Sequence, residues 1–236
     1  MNYLLLIIFG LAPSFVWLLY FLRKDVHPED NREVVKIFIY GALAVIPAAL
    51  IQFGFFDLIL PMTPGLIKTI ISMVFGVAMT EEILKYLVVK NKVFITSHFD
   101  EPMDLPLYMI ISSLGFAAVE NTFVILNPGF LNLSPMRIVT VSLLRFLTAT
   151  LLHALCSGTL GVFLAVAIYQ TNIKTRLIIS GFSVAIFLHA LYNFSIMTVT
   201  GNLRLAIPSL ILFNLALILS LGFKKLKKLK SVCQVK

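Results

Sequence analysis

The sequence predicts an all-α polytopic membrane protein, a bundle of about seven transmembrane helices in a single integral membrane domain covering residues 1–236. Hydrophobic residues make up 59% of the chain and charged residues only 13%. The mean hydropathy is strongly positive, at +0.98. A soluble domain of this size needs more polar surface than such a composition supplies. The apolar residues also fall in runs of about 20, the length that crosses a bilayer core.

Seven apolar runs are predicted to be the spans, with polar loops between them. The first run lacks a positive N-terminal region and a small-residue cleavage site, so we expect a retained helix and not a signal peptide. The dipeptide Pro128-Gly129 after Asn127 indicates a turn that ends the fourth run. The predicted spans are 3–22, 37–60, 66–89, 105–126, 138–169, 177–198 and 205–222.

The net charge of +8 reflects the predicted topology, and no nucleic-acid partner is predicted. Alternating the seven spans places nearly all loop and tail Lys and Arg residues on one side of the membrane. Only Lys68, Arg137 and Arg204 fall on the other side. Basic residues accumulate on the cytoplasmic side, so the N-terminus is predicted to lie outside the cytoplasm and the C-terminus inside. The basic tail also favours contact with anionic lipids of the bilayer.

The third predicted span contains three charged residues, Glu81, Glu82 and Lys85. A charge at the bilayer centre costs about 2.5–3.5 kcal/mol on the insertion scale, so such residues face a protein interior or a watery cavity. Glu81 and Lys85 are four residues apart and share one helix face. At 1.5 Å per residue, Glu81 lies about 20 Å inward from Lys68.

Polar residues of three other spans fall in the same middle zone of the membrane as Glu81, although Glu120 lies mid-to-outer and is the least well aligned. Chance scatter would rarely gather carboxylates, imidazoles and amides from separate helices in one zone, so a functional site is predicted there. The residues are Glu120, His153 and His189, with Asn121 and Asn193 close by.

These residue types suit hydrolysis by an activated water. A buried carboxylate can take a proton from water, and imidazole and amide groups can hold that proton or stabilise an oxyanion. We therefore predict Glu81 as general base, with His189 and Asn193 as oxyanion donors. Because the Gly-x-Ser-x-Gly motif is absent, a serine nucleophile is disfavoured.

A metal site is the alternative version of this chemistry. Two carboxylates and two histidines, namely Glu81, Glu82, His153 and His189, match a zinc site in number. The helix motif His-Glu-x-x-His is absent from the sequence. No cofactor is therefore favoured, and zinc remains the alternative.

Two functions without catalysis also stay open. A network of buried carboxylates and histidines would suit a proton-coupled transporter, although the sequence has no inverted repeat. The same residues would also stabilise a non-catalytic membrane scaffold, with Glu81 and Lys85 as a structural ion pair and Glu120 packed against Arg145.

Four motifs resemble those of a known family. Glu-Glu-x-x-Lys/Arg occurs once, Phe-x-x-x-Glu-Asn once, and two later histidine motifs follow in the same order on separate spans. Together they resemble the PrsW family of intramembrane proteases, within the superfamily of CAAX-processing and bacteriocin-immunity membrane proteins. The matching segments are 81–85, 115–121, 145–158 and 189–193.

The resemblance implies a peptidase in a bacterial cell membrane that cuts a membrane-anchored protein, with the first cleavage of an anti-sigma factor as the expected reaction. It implies Glu81 and Glu82 as the catalytic pair and His189 and Asn193 as the later catalytic and oxyanion residues. CAAX-type relatives have a histidine where this chain has Glu120, which leaves open whether Glu81 or Glu120 is the base.

The remaining residues of the motifs receive supporting roles. Glu120 and His153 are expected to complete a proton network. Asn121 is expected to orient the substrate. Structural support is expected from three residues of the motifs, Lys85, Phe116 and Arg145.

Overall fold

The computed structural model describes residues 3–24, 29–58, 65–92, 101–127, 129 and 134–229. Within these ranges every regular element is a helix. The α-helices are α1 (Tyr3–Leu22), α2 (Asn31–Leu43), α3 (Val45–Leu58), α4 (Gly65–Ile71), α5 (Thr80–Lys92), α6 (Asp104–Leu126), α7 (Pro135–Arg145), α8 (Leu151–Tyr169), α9 (Lys174–Thr198) and α10 (Leu203–Leu226). Two π-helical segments, Ser72–Met79 and Phe146–Thr150, join α4 to α5 and α7 to α8.

The described residues contain six helical stretches that are long and apolar enough to cross a membrane, so this is a multi-pass membrane protein. The remaining predicted span corresponds to α4, its π-helical segment and α5. The charged residues of α5 distinguish it from the other six. The predicted bundle of about seven membrane helices is therefore confirmed.

Several helices extend beyond their predicted spans. Helix α2 begins at Asn31, six residues before the predicted start at 37, because Asp30 caps it by accepting a hydrogen bond from the backbone N–H of Arg32 at 3.0 Å. Helix α10 continues to Leu226 through lysines that favour a helix C-terminus. Hydropathy detects the apolar part of a helix and misses such polar ends. Residues 59–60 of the second span and the tail from 230 onward lie outside the described residues.

The second span consists of two helices. Pro47 has no N–H to offer the carbonyl of Leu43 and its ring crowds that carbonyl, so α2 ends at Leu43 and α3 begins after Ala44. This break lies two turns before Gln52, which faces the interior of the bundle and reaches the third span.

Helix α6 is the centre of the bundle. Every residue from Asp104 to Ala118 is buried, and the helix packs against α1, α2 and α8, while α9 and α10 pack against α8. Small residues permit close backbone contact: a Cβ added to Gly115 would lie 2.0 Å from the carbonyl oxygen of Phe38 on α2. On the outer helices, large apolar side chains such as Leu4, Leu50 and Phe213 are exposed, as lipid-facing residues should be.

Candidate active site

Both π-helical segments lie directly before the polar residues of the site. The first ends at Met79, next to the helix that carries the charged motif, and the second ends three residues before His153. At the end of the first segment, Thr80 Oγ1 donates to the carbonyl of Phe75 at 3.1 Å. Such segments occur frequently at functional sites. Here each of them directly precedes a helix that carries residues of the polar cluster.

The ammonium group of Lys85 is the centre of a buried polar cluster. Its Nζ donates to Glu82 Oε1 at 2.9 Å and to Glu81 Oε2 at 3.3 Å. It also lies 2.8 Å from His153 Nδ1 and 4.6 Å from the centroid of the Phe116 ring. All three N–H donors therefore have a partner, which a completely buried cation requires.

Glu82 is completely buried and makes only short contacts. Besides the contact with Lys85, its Oε1 lies 3.0 Å from His189 Nδ1, and its Oε2 accepts from Ser157 Oγ at 2.7 Å. An ionised carboxylate can only accept, so Nδ1 of His189 carries the hydrogen and Nε2 keeps its lone pair. Glu82 thus fixes the tautomer and orientation of His189, the usual role of a carboxylate behind a functional imidazole.

Glu81 is held less tightly than its neighbour. Its Oε1 accepts from Gln52 Nε2 at 3.3 Å, and Lys85 is the donor to Oε2. That Oε2 lies 3.8 Å from His189 Nε2. Both atoms are acceptors and cannot bond to each other directly, yet they face the same region of the site. This arrangement suits a molecule that donates to both atoms, or a cation.

His153 links the buried cluster to Glu120 at the edge of the site. Lys85 can only donate, so Nδ1 of His153 accepts from it, and Nε2 carries the hydrogen and donates to Glu120 Oε2 at 2.7 Å. Glu120 Oε1 accepts from Arg145 Nη2 at 2.9 Å. A third of the Glu120 side chain is accessible. A continuous chain of hydrogen bonds therefore joins the accessible Glu120 to the buried ammonium.

The two asparagines occupy different positions. Asn121 accepts from Arg145 Nε at 2.5 Å and donates to Thr150 Oγ1 at 2.9 Å, so both ends of its amide are bound. Asn121 thereby helps to position the Arg145 guanidinium, which pairs with Glu120. Asn193 is half-buried one helical turn after His189, and among the described residues no partner binds its amide. Of the two amides, that of Asn121 is therefore fully engaged, whereas that of Asn193 is not.

Three residues could together hold a metal ion. Glu81, His153 and His189 each offer one ligand atom, and the three atoms lie within 4.8 Å of one another. Two imidazoles and a carboxylate are a known catalytic zinc set, in which tetrahedral ligand atoms are about 3.4 Å apart. The donor types fit. A nitrogen of each histidine lies 3.8 Å from Glu81 Oε2, so the three ligand atoms would have to move closer together to bind zinc. In the present conformation, however, Lys85 occupies Nδ1 of His153 and would have to move.

The structure brings together predicted residues of α5, α6, α8 and α9 and, at the end of α7, Arg145. Asn193 lies one turn after His189, and among the described residues no hydrogen bond or ion pair joins it to the others. The structure places Glu82, one of the four predicted metal ligands, behind His189, with its oxygens bound to other groups. Sequence reasoning missed Gln52 and Ser157. Both carry a detectable signal: Gln52 is an amide inside an apolar run, and Ser157 follows His153 by four residues on the same helix face.

A family model and several named proteins are similar to this chain over most of its length. The family model described as "PrsW family intramembrane metalloprotease" matches residues 29–221. Two proteins named Protease PrsW, from Oceanobacillus iheyensis and Geobacillus kaustophilus, are each 29% identical over 78% of this chain and over 80% and 76% of their own length. Protease PrsW of Bacillus subtilis is 26% identical over 94% of both chains. No solved structure matches the chain.

Proposed function

Because the chain belongs to the PrsW family of intramembrane metalloproteases, we propose that it is an endopeptidase that hydrolyses a membrane-anchored protein within the bacterial cell membrane. The curated relatives, all named Protease PrsW, come from bacteria and support this assignment. The proposed reaction is the first cleavage of an anti-sigma factor, as the motif resemblance implies.

One observation carries the mechanism, namely the two acceptor atoms Glu81 Oε2 and His189 Nε2 at 3.8 Å. A water molecule that donates one hydrogen to each of them is held with its oxygen lone pairs free. As this oxygen attacks the scissile carbonyl carbon, Glu81 takes the proton and acts as general base. Glu82 keeps His189 in the tautomer that accepts from the water.

The environments of the carboxylates favour Glu81 over Glu120 as the base. Both oxygens of Glu120 accept short hydrogen bonds, one from Arg145 and one from His153. Glu81 has only two donors, each at 3.3 Å. A carboxylate with weak partners has capacity left for the proton of water. Glu120 with His153 forms the proton path that runs from the site to the accessible edge.

The oxyanion that develops on the substrate needs donors placed beside the attacked carbonyl. Asn193 supplies an amide N–H₂ one turn after His189, and among the described residues that amide has no other partner. Glu81 then passes the proton taken from the water to His189 Nε2, 3.8 Å away. Protonated His189 is a second donor to the oxyanion, and it gives the proton to the leaving nitrogen as the C–N bond breaks. These two residues of α9 are therefore the proposed oxyanion donors.

A metal-dependent form of the same peptidase is the second candidate, favoured by the grouping of Glu81, His153 and His189. A zinc ion bound by these residues would lower the pKa of water and polarise the carbonyl. Glu82 would then orient His189 from behind, and Lys85 would have to leave His153.

The test is a cleavage assay. The wild type, Glu81→Gln and the control Asp57→Asn, which removes an equal charge from an exposed site, are co-expressed with tagged single-span substrates, anti-sigma factors foremost. We expect a fragment with the wild type and the control and none with Glu81→Gln at equal expression. Undiminished cleavage by Glu81→Gln would overturn the mechanism.

The metal is tested on the purified wild type. The glutamate-based mechanism is supported if cleavage continues in the presence of a chelator and if mass spectrometry finds less than one zinc ion per protein molecule. Loss of cleavage that added zinc restores supports the metal-dependent form.

A further inference from the structure

A second cleft lies between α1, α8 and α10, apart from the carboxylate cluster. It has a volume of about 390 Å³, within the range of about 300–1,000 Å³ typical of small-molecule sites. Its walls are apolar. They are formed by Phe21 of α1, Leu151 and Leu155 of α8, and Leu219 and Phe223 of α10.

Three exposed lysines form the rim of this cleft. Lys24 follows the end of α1, and Lys224 and Lys227 lie at the end of α10. In the part of the chain that the structure describes, no carboxylate is paired with any of these ammonium groups. Their charge is therefore available to an anion at the mouth of the cleft.

Two amphipathic aromatic residues also line the cleft. Trp17 lines the cleft, donates from Nε1 to the carbonyl of Phe146 at 2.8 Å and stacks on the Phe146 ring. Tyr20 also lines it, with the Lys24 ammonium 4.9 Å from its ring centroid. Tyr20 therefore lies beside the cationic rim, at the head-group level that Tyr prefers in a bilayer. Trp17 lies about one helical turn further into the bundle, beside Phe146.

We propose that this cleft binds one anionic phospholipid. The phosphate lies among Lys24, Lys224 and Lys227, and an acyl chain lies along Leu151 and Leu155. The cationic rim and the apolar walls match the phosphate and the acyl parts of a phospholipid. The predicted topology puts this end of the bundle at the cytoplasmic leaflet, where anionic lipids attract basic residues.

The first experiment compares two triple variants of equal charge. The cleft variant changes the three rim lysines to Gln, namely Lys24, Lys224 and Lys227. The control variant changes three exposed lysines at the same end of the bundle but outside the cleft to Gln, namely Lys174, Lys225 and Lys228. Native mass spectrometry measures how much phosphatidylglycerol, or phosphatidylcholine for comparison, stays bound to each purified protein in detergent. We expect affinity for phosphatidylglycerol to fall about tenfold or more in the cleft variant and less than about twofold in the control.

A second variant tests the apolar wall without changing the charge. Ala216 lines the cleft on α10 and is exposed, so Ala216→Phe fills the cleft from its open side. We expect this variant to lose phosphatidylglycerol while its melting temperature in lipid-free detergent stays at the wild-type value. Equal lipid binding by both triple variants, equal retention of the two lipids by the wild type, or wild-type binding by Ala216→Phe would each overturn the proposal.

Discussion

Replacing each of two adjacent glutamates by glutamine should separate chemistry from stability. Glu81→Gln and Glu82→Gln make the same chemical change one residue apart on α5. The structure gives the two carboxylates different surroundings, with two partners at 3.3 Å for Glu81 and three partners between 2.7 and 3.0 Å for Glu82. We therefore expect Glu81→Gln to abolish cleavage in a stable protein and Glu82→Gln to destabilise the fold.

The magnitudes follow from these contacts. Glu82→Gln replaces a buried acceptor oxygen by an N–H₂ group that faces donors of Lys85, His189 or Ser157. Each buried donor left without an acceptor costs about 1–3 kcal/mol, so we expect about 3–5 kcal/mol in all. A glutamine at position 81 can still accept from Lys85 or from Gln52, so its cost is about 1 kcal/mol, that of a single weakened hydrogen bond. The difference should lower the melting temperature of Glu82→Gln by roughly 10 °C relative to Glu81→Gln.

The assay is thermal unfolding in detergent, followed by the fluorescence of the single tryptophan, Trp17, which packs against Phe146 in the folded protein. Cleavage of a tagged substrate is measured on the same preparations below the melting temperature. The assignment of Glu82 as the structural carboxylate and Glu81 as the base is wrong if Glu82→Gln has the melting temperature of the wild type. It is also wrong if Glu81→Gln is the less stable of the two variants.

Three further substitutions test the supporting contacts. Gln52→Leu removes a donor to the proposed base, so cleavage should slow about tenfold with little change in the melting temperature. Ser157→Ala leaves a buried carboxylate oxygen without its hydroxyl donor and should cost about 1–3 kcal/mol in a chemical-denaturation series. Gly115→Ala should cost about 1–3 kcal/mol in the same series, because its Cβ would meet the carbonyl of Phe38 at 2.0 Å. The control Gly54→Ala should not destabilise the protein, because no neighbouring atom of the described residues outside its own helix backbone lies within 4 Å of the added Cβ.

Hydropathy predicted the fold because a bilayer imposes one length and one polarity on every span. The same measure is insensitive to where a helix ends. The early start of α2 depends on Asp30 as a cap, and its break at Ala44 depends on Pro47; neither residue changes the apolar character of the span. The π-helical segments are also absent from the predicted pattern, since their residues are ordinary apolar ones.

Depth along each span predicted which residues of the site meet, because helices that cross one bilayer share one coordinate. Depth contains no information on rotation, so it could not distinguish Asn121, which is bound to Arg145, from an amide that faces the site. It also gave no pairing: the Lys85 ammonium contacts His153 of α8 as well as its own helix neighbours. Those contacts depend on side-chain reach across helices, which only the packed bundle defines.

The pair of consecutive glutamates has a physical explanation in the charge balance of the site. At its edge Arg145 compensates Glu120. In the buried part, Glu81 and Glu82 share the single cation of Lys85, so one formal negative charge remains. Lys85 lies closer to Glu82, at 2.9 Å against 3.3 Å, so the uncompensated charge lies mainly on Glu81. One carboxylate alone would be neutralised by the ammonium and would be a poor base. The second glutamate engages the ammonium and leaves the first one charged and weakly bound, ready for a proton or a cation.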